Sequence, residues 1–342
     1  MAIISKKKIP FPISPRLRTY LKEQEREKRI GITYIDLTRY ESSFTLYDKY
    51  GKDSLWETVL FSSAESDQVH QGLKEVYSIL TADGDVSVIE HLFVDRIDIC
   101  IYGNTRPFRV RIVNRINDNF DYFYVKHADA SRIYGLELEH VLSPNRINYL
   151  VYKNTLIEEH IAGIPGDQFI KYHMEGTDLN EIRLAKEFVK FNERTFVRLL
   201  GDMHSSNFVI DITPDFEETH YRIRAIDFDQ QSFEGKRSVY MPQYFKQNNP
   251  IIELGIKLMT PETVIQYQRE EQSLIASRIK TSRYRLKDLI DCMTIDKISK
   301  PENIKNLRQE MADYYQDPRF LECGSMGAIV KISLRMLWEK NQ

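Results

Sequence analysis

One break divides the chain. Up to Ile161 the apolar residues come in short runs rich in valine, isoleucine, phenylalanine and tyrosine, with turn residues between them. Beyond Gly163, Pro165 and Gly166 they recur mainly at helical spacing. Glycine and proline weaken the interior of helices and strands alike, so three of them within four positions mark a boundary. A chain of 342 residues is long enough for two or three bodies with cores of their own. The pattern by itself gives an α+β protein with a helical C-terminal half.

The stretch from Leu199 to Gln230 interrupts that helical half. Phe208 to Ile212 and Tyr221 to Ile226 are short runs of β-branched and aromatic residues, and read as strands. The connection from Thr213 to Thr219 carries a proline and several acids, as a turn does. A hairpin here sets Asn207 beside Asp227, with Asp202 on the loop just before. One carboxylate and one amide oxygen can hold Mg²⁺, and the other carboxylate can orient a hydroxyl nucleophile. Phosphoryl transfer from a metal-bound nucleotide requires that set. The plainer alternative is a core hairpin with incidental acids.

The sequence G-D-x-H-x-x-N, followed by a strand and I-D-F-D, resembles the catalytic loop and metal-binding motif of the kinase-like phosphotransferases. The aminoglycoside and choline kinases, whose loop usually reads H-G-D-x-H-x-x-N, are the most similar group. Protein kinases share the spacing but usually have lysine where His204 stands. The resemblance implies a two-lobed protein-kinase-like fold, ATP and Mg²⁺ as cofactors, Asp202 as catalytic base, and Asn207 and Asp227 as metal ligands with Asp229 as helper. Leu200 departs from the pattern: the family usually has a histidine there, in a mainly structural role.

The same resemblance organises the strand-rich part. Ile97–Tyr102 and Phe108–Asn114 would be the hairpin over the phosphates, although Gly103 is its one glycine. Asp121–Lys126 looks like the strand whose terminal lysine meets the α- and β-phosphates. That lysine needs a helix glutamate. The helix expected over Ala128–Leu142 offers Glu137 and Glu139, about 200° apart around the axis, and Glu137 is the expected partner. After strands at Ile147–Tyr152 and Thr155–Ile161, backbone groups near Glu159, His160 and Ile161 would bond the adenine edge. Residues 1–95 have no counterpart in a minimal lobe. They read as an added α+β module with strands at Ile32–Ile35, Ser43–Tyr47 and Leu55–Phe61 and a helix over Ser63–Leu80. The expected division is thus 1–95, 96–162 and 163–342.

Further on, Asp178–Glu193 reads as the helix feeding the catalytic loop. Residues 230–244 either present an acceptor or form a packed loop. Thr260-Pro261-Glu262 and Ser299 with Glu302 read as helix starts, and Gly324–Trp338 as a final helix. Two basic stretches stand out. Residues 1–30 hold nine Lys/Arg against three Glu, and Arg278–Lys287 holds five basic residues around Tyr284. Each reads as a solvated helix face or as a contact for an acidic partner. The whole chain carries a net charge of −2, so composition makes no general case for nucleic acid or a membrane surface. Three scattered cysteines and no apolar run near the length of a membrane span point to a cytoplasmic protein. The expected function is transfer of the γ-phosphate to a hydroxyl of a small molecule or an atypical protein substrate. The alternative is a kinase-like scaffold, a pseudokinase, that binds nucleotide or a partner.

Overall fold

The computed structural model describes residues 8–82, 84–102, 105–176, 179–214 and 219–340. Gly103 and Asn104 of the expected phosphate hairpin, and 215–218 of the connection after Ile212, lie outside the described residues. The chain divides into two units, one of residues 8–129 with 147–160 and one of 130–146 with 161–340.

The first unit is built on a seven-stranded antiparallel sheet. Its strands are β1 (Ser42–Tyr47), β2 (Asp53–Leu60), β3 (Leu92–Cys100), β4 (Phe108–Asn114), β5 (Phe120–His127), β6 (Tyr149–Tyr152) and β7 (Thr155–Glu159), in the order β1-β2-β3-β4-β5-β7-β6. Side chains alternate as a one-sided sheet demands. In β4, Phe108, Val110 and Ile112 are buried while Arg109 and Arg111 lie on the other face. The apolar face packs with Leu73, Val76 and Leu80 of α3 (Ser63–Thr81). On the polar face the buried Asp98 is satisfied by Thr58, Arg96 and Arg109.

This sheet corrects the expected boundary at residue 95. Trp56 and Thr58 of β2 lie opposite Cys100 and Asp98 of β3. Residues 42–60 therefore cover an edge of the same sheet and do not form a separate module. Ile32–Ile35 is not a strand either. Thr33 and Asp36 cap each other's backbone amides and nucleate the short helix α2 (Tyr34–Leu37), overriding the β-branched composition. The basic N-terminal stretch folds as α1 (Pro15–Glu23), started by the Ser14 hydroxyl and Pro15, and it buries Leu17, Tyr20 and Leu21.

The second unit contains α4 (Ala130–Leu142), α5 (Gly166–Tyr172), α6 (Glu181–Val197), α7 (Asn249–Leu258), α8 (Pro261–Thr281), α9 (Arg283–Ile295), α10 (Pro301–Tyr315) and α11 (Met326–Lys340). A small antiparallel sheet is also present, with β9 (Phe208–Pro214) between β10 (Thr219–Ala225) and β8 (Ile164–Pro165). The expected α8 start holds: Thr260 accepts from the Thr263 amide, with Pro261 at the first turn. The expected Ser299–Glu302 box does not form, because Ser299 Oγ donates to the Phe233 carbonyl and ties the start of α10 to the segment after β10. No described helix is long and apolar enough to cross a membrane.

Helix α4 is buried over almost its whole length, although it carries Arg132, Glu137 and Glu139. Each meets an opposite charge in this unit: Arg132 the aspartates after β10, Glu137 the guanidinium of Arg285, and Glu139 that of Arg198. The division of the chain follows from those pairs, since α4 belongs with the helical unit although it is flanked in sequence by strands of the sheet.

Close helix packing supplies a stability prediction. A Cβ on Gly327 of α11 would stand 2.2 Å from the Met293 carbonyl oxygen of α9, a backbone atom that cannot swing aside. Gly327→Ala is expected to lower stability by about 2–3 kcal/mol through overpacking, despite alanine's better helix propensity. A denaturant midpoint equal to or above wild type would contradict that packing.

Candidate active site

The hairpin forms in the register its sequence suggests. Phe208 pairs with Ala225, and the Ile226 amide donates to the Asn207 carbonyl at 3.0 Å. Asn207 just before β9 and Asp227 just beyond β10 are thereby brought to the same end of the ribbon. Asp202 occupies the loop between α6 and this ribbon, with a left-handed φ of 63°. Its conformation is held from three sides. Its amide donates to the Val239 carbonyl at 3.0 Å, and its own carbonyl accepts from the His204 amide at 2.9 Å and from Asn207 Nδ2 at 2.8 Å. That last bond fixes the Asn207 amide group and makes its Oδ1 the atom through which it can ligate a cation.

Packing behind the loop explains two residues around it. Leu200 is buried and bridges Gln231, so its apolar side chain sits in the core. Gly201 is needed for close approach: a Cβ there would meet Val239 Cγ1 at 3.0 Å and the Gln230 carbonyl at 3.1 Å. Most of the segment from Gln230 to Pro242 is buried against the loop. Of the two readings of 230–244, it is the packed one, with Lys236 and Tyr244 the exposed exceptions.

The carboxylate of Asp202 is about a quarter exposed, with a side-chain accessibility of 23%. Burial, then the negative charges of Asp227, Glu234 and Asp229, push its pKa up to about 7. A carboxylate so placed can accept a proton near neutral pH, as a general base must. His204 is shifted the other way, lowered chiefly by burial against the opposing pull of Asp227 and Asp167. Its Nδ1 accepts from the Ser206 amide at 3.3 Å. The neutral ring therefore carries its proton on Nε2, which lies 4.0 Å from Asp202 Oδ2.

Arg132 is the participant that sequence reasoning missed. It is buried, and its Nη1 lies 2.8 Å from Asp227 Oδ1 while also bonding Asp229 Oδ1. Asp227 Oδ1 further accepts from the Asp229 amide at 3.0 Å. The sequence signal was slight: one arginine on a helix otherwise rich in apolar residues. The oxygen donors of Asn207, Asp227 and Asp229 suit a hard cation such as Mg²⁺, and the Asp227 side chain is 36% exposed. Among the described residues no three His, Cys, Asp or Glu side chains form a metal-holding group. A metal here would therefore need the Asn207 amide oxygen and the ligand's own oxygens beside the aspartates.

Lys126 lies in the sheet unit and has a different partner from the one expected. It stands opposite Leu156 in the β5–β7 register, so Glu158, two residues along β7, is its diagonal neighbour on the same face. Their side chains pair at 2.9 Å, both buried. Glu137 is engaged instead by Nε and Nη2 of Arg285, because α4 packs with the helical unit. The adenine expectation is corrected in part. The amide of Glu159 donates to the Asn148 carbonyl and that of His160 to the Tyr122 carbonyl, so neither N–H is available to a base. The Glu159 carboxylate accepts from the Asn148 amide, and Ile161 is buried at the start of the helical unit.

No protein-family model matches the chain, and no curated protein does. Among solved structures it is similar to "Titin kinase and its flanking domains", at 13% identity and a TM-score of 0.30 over 71% of this chain and 54% of that one. It is also similar to the autoinhibited serine kinase domain of the giant muscle protein titin, at 12% identity and a TM-score of 0.28 over 71% and 92%. The chain thus spans about half the length of the first of these. A likeness of that size carries no argument about activity.

Proposed function

We propose that the protein is an ATP- and Mg²⁺-dependent phosphotransferase with a kinase-like arrangement, acting on a hydroxyl of a small molecule or an atypical protein substrate. The observation that carries the reading is the constrained loop at Asp202: a base with its pKa near neutrality, hydrogen-bonded through its backbone to an asparagine that stands beside Asp227. Asn207 and Asp227, with Asp229, would hold Mg²⁺, which supplies neutralisation of phosphate charge when bound. Asp202 accepts the acceptor hydroxyl's proton. Positioning and charge stabilisation do most of the work, with no covalent intermediate on the protein.

Arg132 supports a second reading. A buried guanidinium already compensates Asp227 and Asp229, so the loop can be stable without metal, as a scaffold that binds nucleotide or a partner requires. A thermal-shift titration separates the two. On the phosphotransferase reading, ATP with Mg²⁺ raises the Tm by more than ATP alone, and Asp227→Ala removes the metal-dependent part. A shift indifferent to Mg²⁺, together with no ADP release from any acceptor tried, assigns the scaffold.

A further inference from the structure

The basic stretch at the end of α8 and the start of α9 has no part in the proposed chemistry, yet it borders a built feature of the helical unit. Helices α8, α9 and α11 enclose a groove of about 540 Å³. Leu286 and Ile290 of α9 and Leu334 and Trp338 of α11 form its floor. Each pair is spaced by four residues and so faces one way. Its lining is also cationic: Arg283 and Lys287 come from α9, Lys331 and Arg335 from α11, and Lys280 from the end of α8.

These charges are only partly compensated within the molecule. Lys287 and Lys331 share Asp291, at 2.8 and 3.3 Å. Arg335 shares Glu339 with Arg319. Lys280 and Arg283 have no acidic partner among the described residues; the guanidinium of Arg283 lies over the Tyr284 ring instead. An apolar-floored groove lined by an excess of positive charge complements a helix with an apolar stripe bordered by acids. The length from Lys331 to Trp338 is about 11 Å at 1.5 Å per residue, which matches about two turns of such a helix.

We propose that this groove is a docking site for an acidic amphipathic helix of a partner protein. The alternatives fit less well. A flat bilayer cannot fill a concave trough, a single acyl chain would leave most of the cationic lining uncompensated, and a nucleic-acid strand would set phosphates over the apolar floor. The site is separate in residues from Asp202, Asn207 and Asp227, so it stands or falls independently of the phosphotransferase reading.

The test uses the full chain and a fluorescein-labelled, 16-residue designed helical peptide with leucines on one face and glutamates on both flanks. Fluorescence anisotropy should show saturable binding that weakens steeply as salt rises. The double variant Lys280→Glu/Arg283→Glu breaks no internal ion pair and should keep the wild-type melting curve, yet weaken binding at least tenfold. The same peptide with lysines for glutamates should not bind. Failure of the acidic peptide to bind, equal binding of the basic one, or wild-type affinity in the double variant overturns the proposal. Binding of phosphatidylserine vesicles or a 20-base-pair DNA duplex that depends on Lys280 and Arg283, without peptide binding, also overturns it and assigns the groove to that ligand.

Discussion

Asp202→Asn is expected to slow ADP release in the presence of ATP, Mg²⁺ and an acceptor hydroxyl by about 10²- to 10⁴-fold, the range over which a positioned base contributes. The same change should make the protein more stable at pH 8. Both follow from the position of the carboxylate, half-buried among Asp227, Glu234 and Asp229, which raises its pKa to about 7. The free acid of an unfolded chain titrates near 4. Between those values the native state binds the proton that the unfolded state has lost. Stability linked to Asp202 is therefore fully present below about pH 4 and is lost as pH rises through about 7. Asparagine cannot ionise, so the variant should match wild type at pH 4 and exceed it at pH 8. Activity runs the opposite way. Wild-type turnover needs the ionised Asp202, so it should fall as that carboxylate takes up a proton, and Mg²⁺ on Asp227 and Asp229 should move the midpoint below the metal-free value by offsetting the repelling charges. Unaltered ADP release in Asp202→Asn would end the assignment of Asp202 as base. A stability difference that does not vary with pH would end the account of its environment.

How far these features are legible in sequence depends on how local their causes are. The hairpin from Phe208 to Ala225 was readable because strand composition, a turn and flanking polar residues fall within about 20 positions, and the observed register follows. The change from strands to helices near Gly163 was readable for the same reason. The partner of Lys126 was not: Glu158 is 32 residues away and becomes its neighbour only through the pairing of β5 with β7. Nor was the membership of α4, whose burial is decided by Asp227, Arg198 and Arg285, all remote in sequence. Residues 42–60 read as an independent module because edge strands of a large sheet have the same local pattern as strands of a small one. Thr33 and Asp36 show the converse, where a three-residue cap prevailed over strand propensity.

Arg132→Met should be the most destabilising of the substitutions considered, by about 3 kcal/mol at neutral pH in the absence of divalent cations. Removing one member of a buried ionic cluster takes a counter-ion away from the charges packed against it, which costs about 3–5 kcal/mol. Partial exposure of Asp227 places this case at the lower end. The variant also distinguishes what Arg132 does. If the guanidinium and Mg²⁺ neutralise the same carboxylates, deleting the first makes the second more valuable. Millimolar Mg²⁺ should then recover more stability in Arg132→Met than it adds to wild type, and the recovery should disappear in Arg132→Met/Asp227→Asn. The measurement is a set of denaturant midpoints with and without the metal. A Mg²⁺ effect of the same size in wild type and variant would show that cation and arginine act on different groups. In that case Asp227 holds the loop in place through Arg132, and the nucleotide's metal must be bound elsewhere.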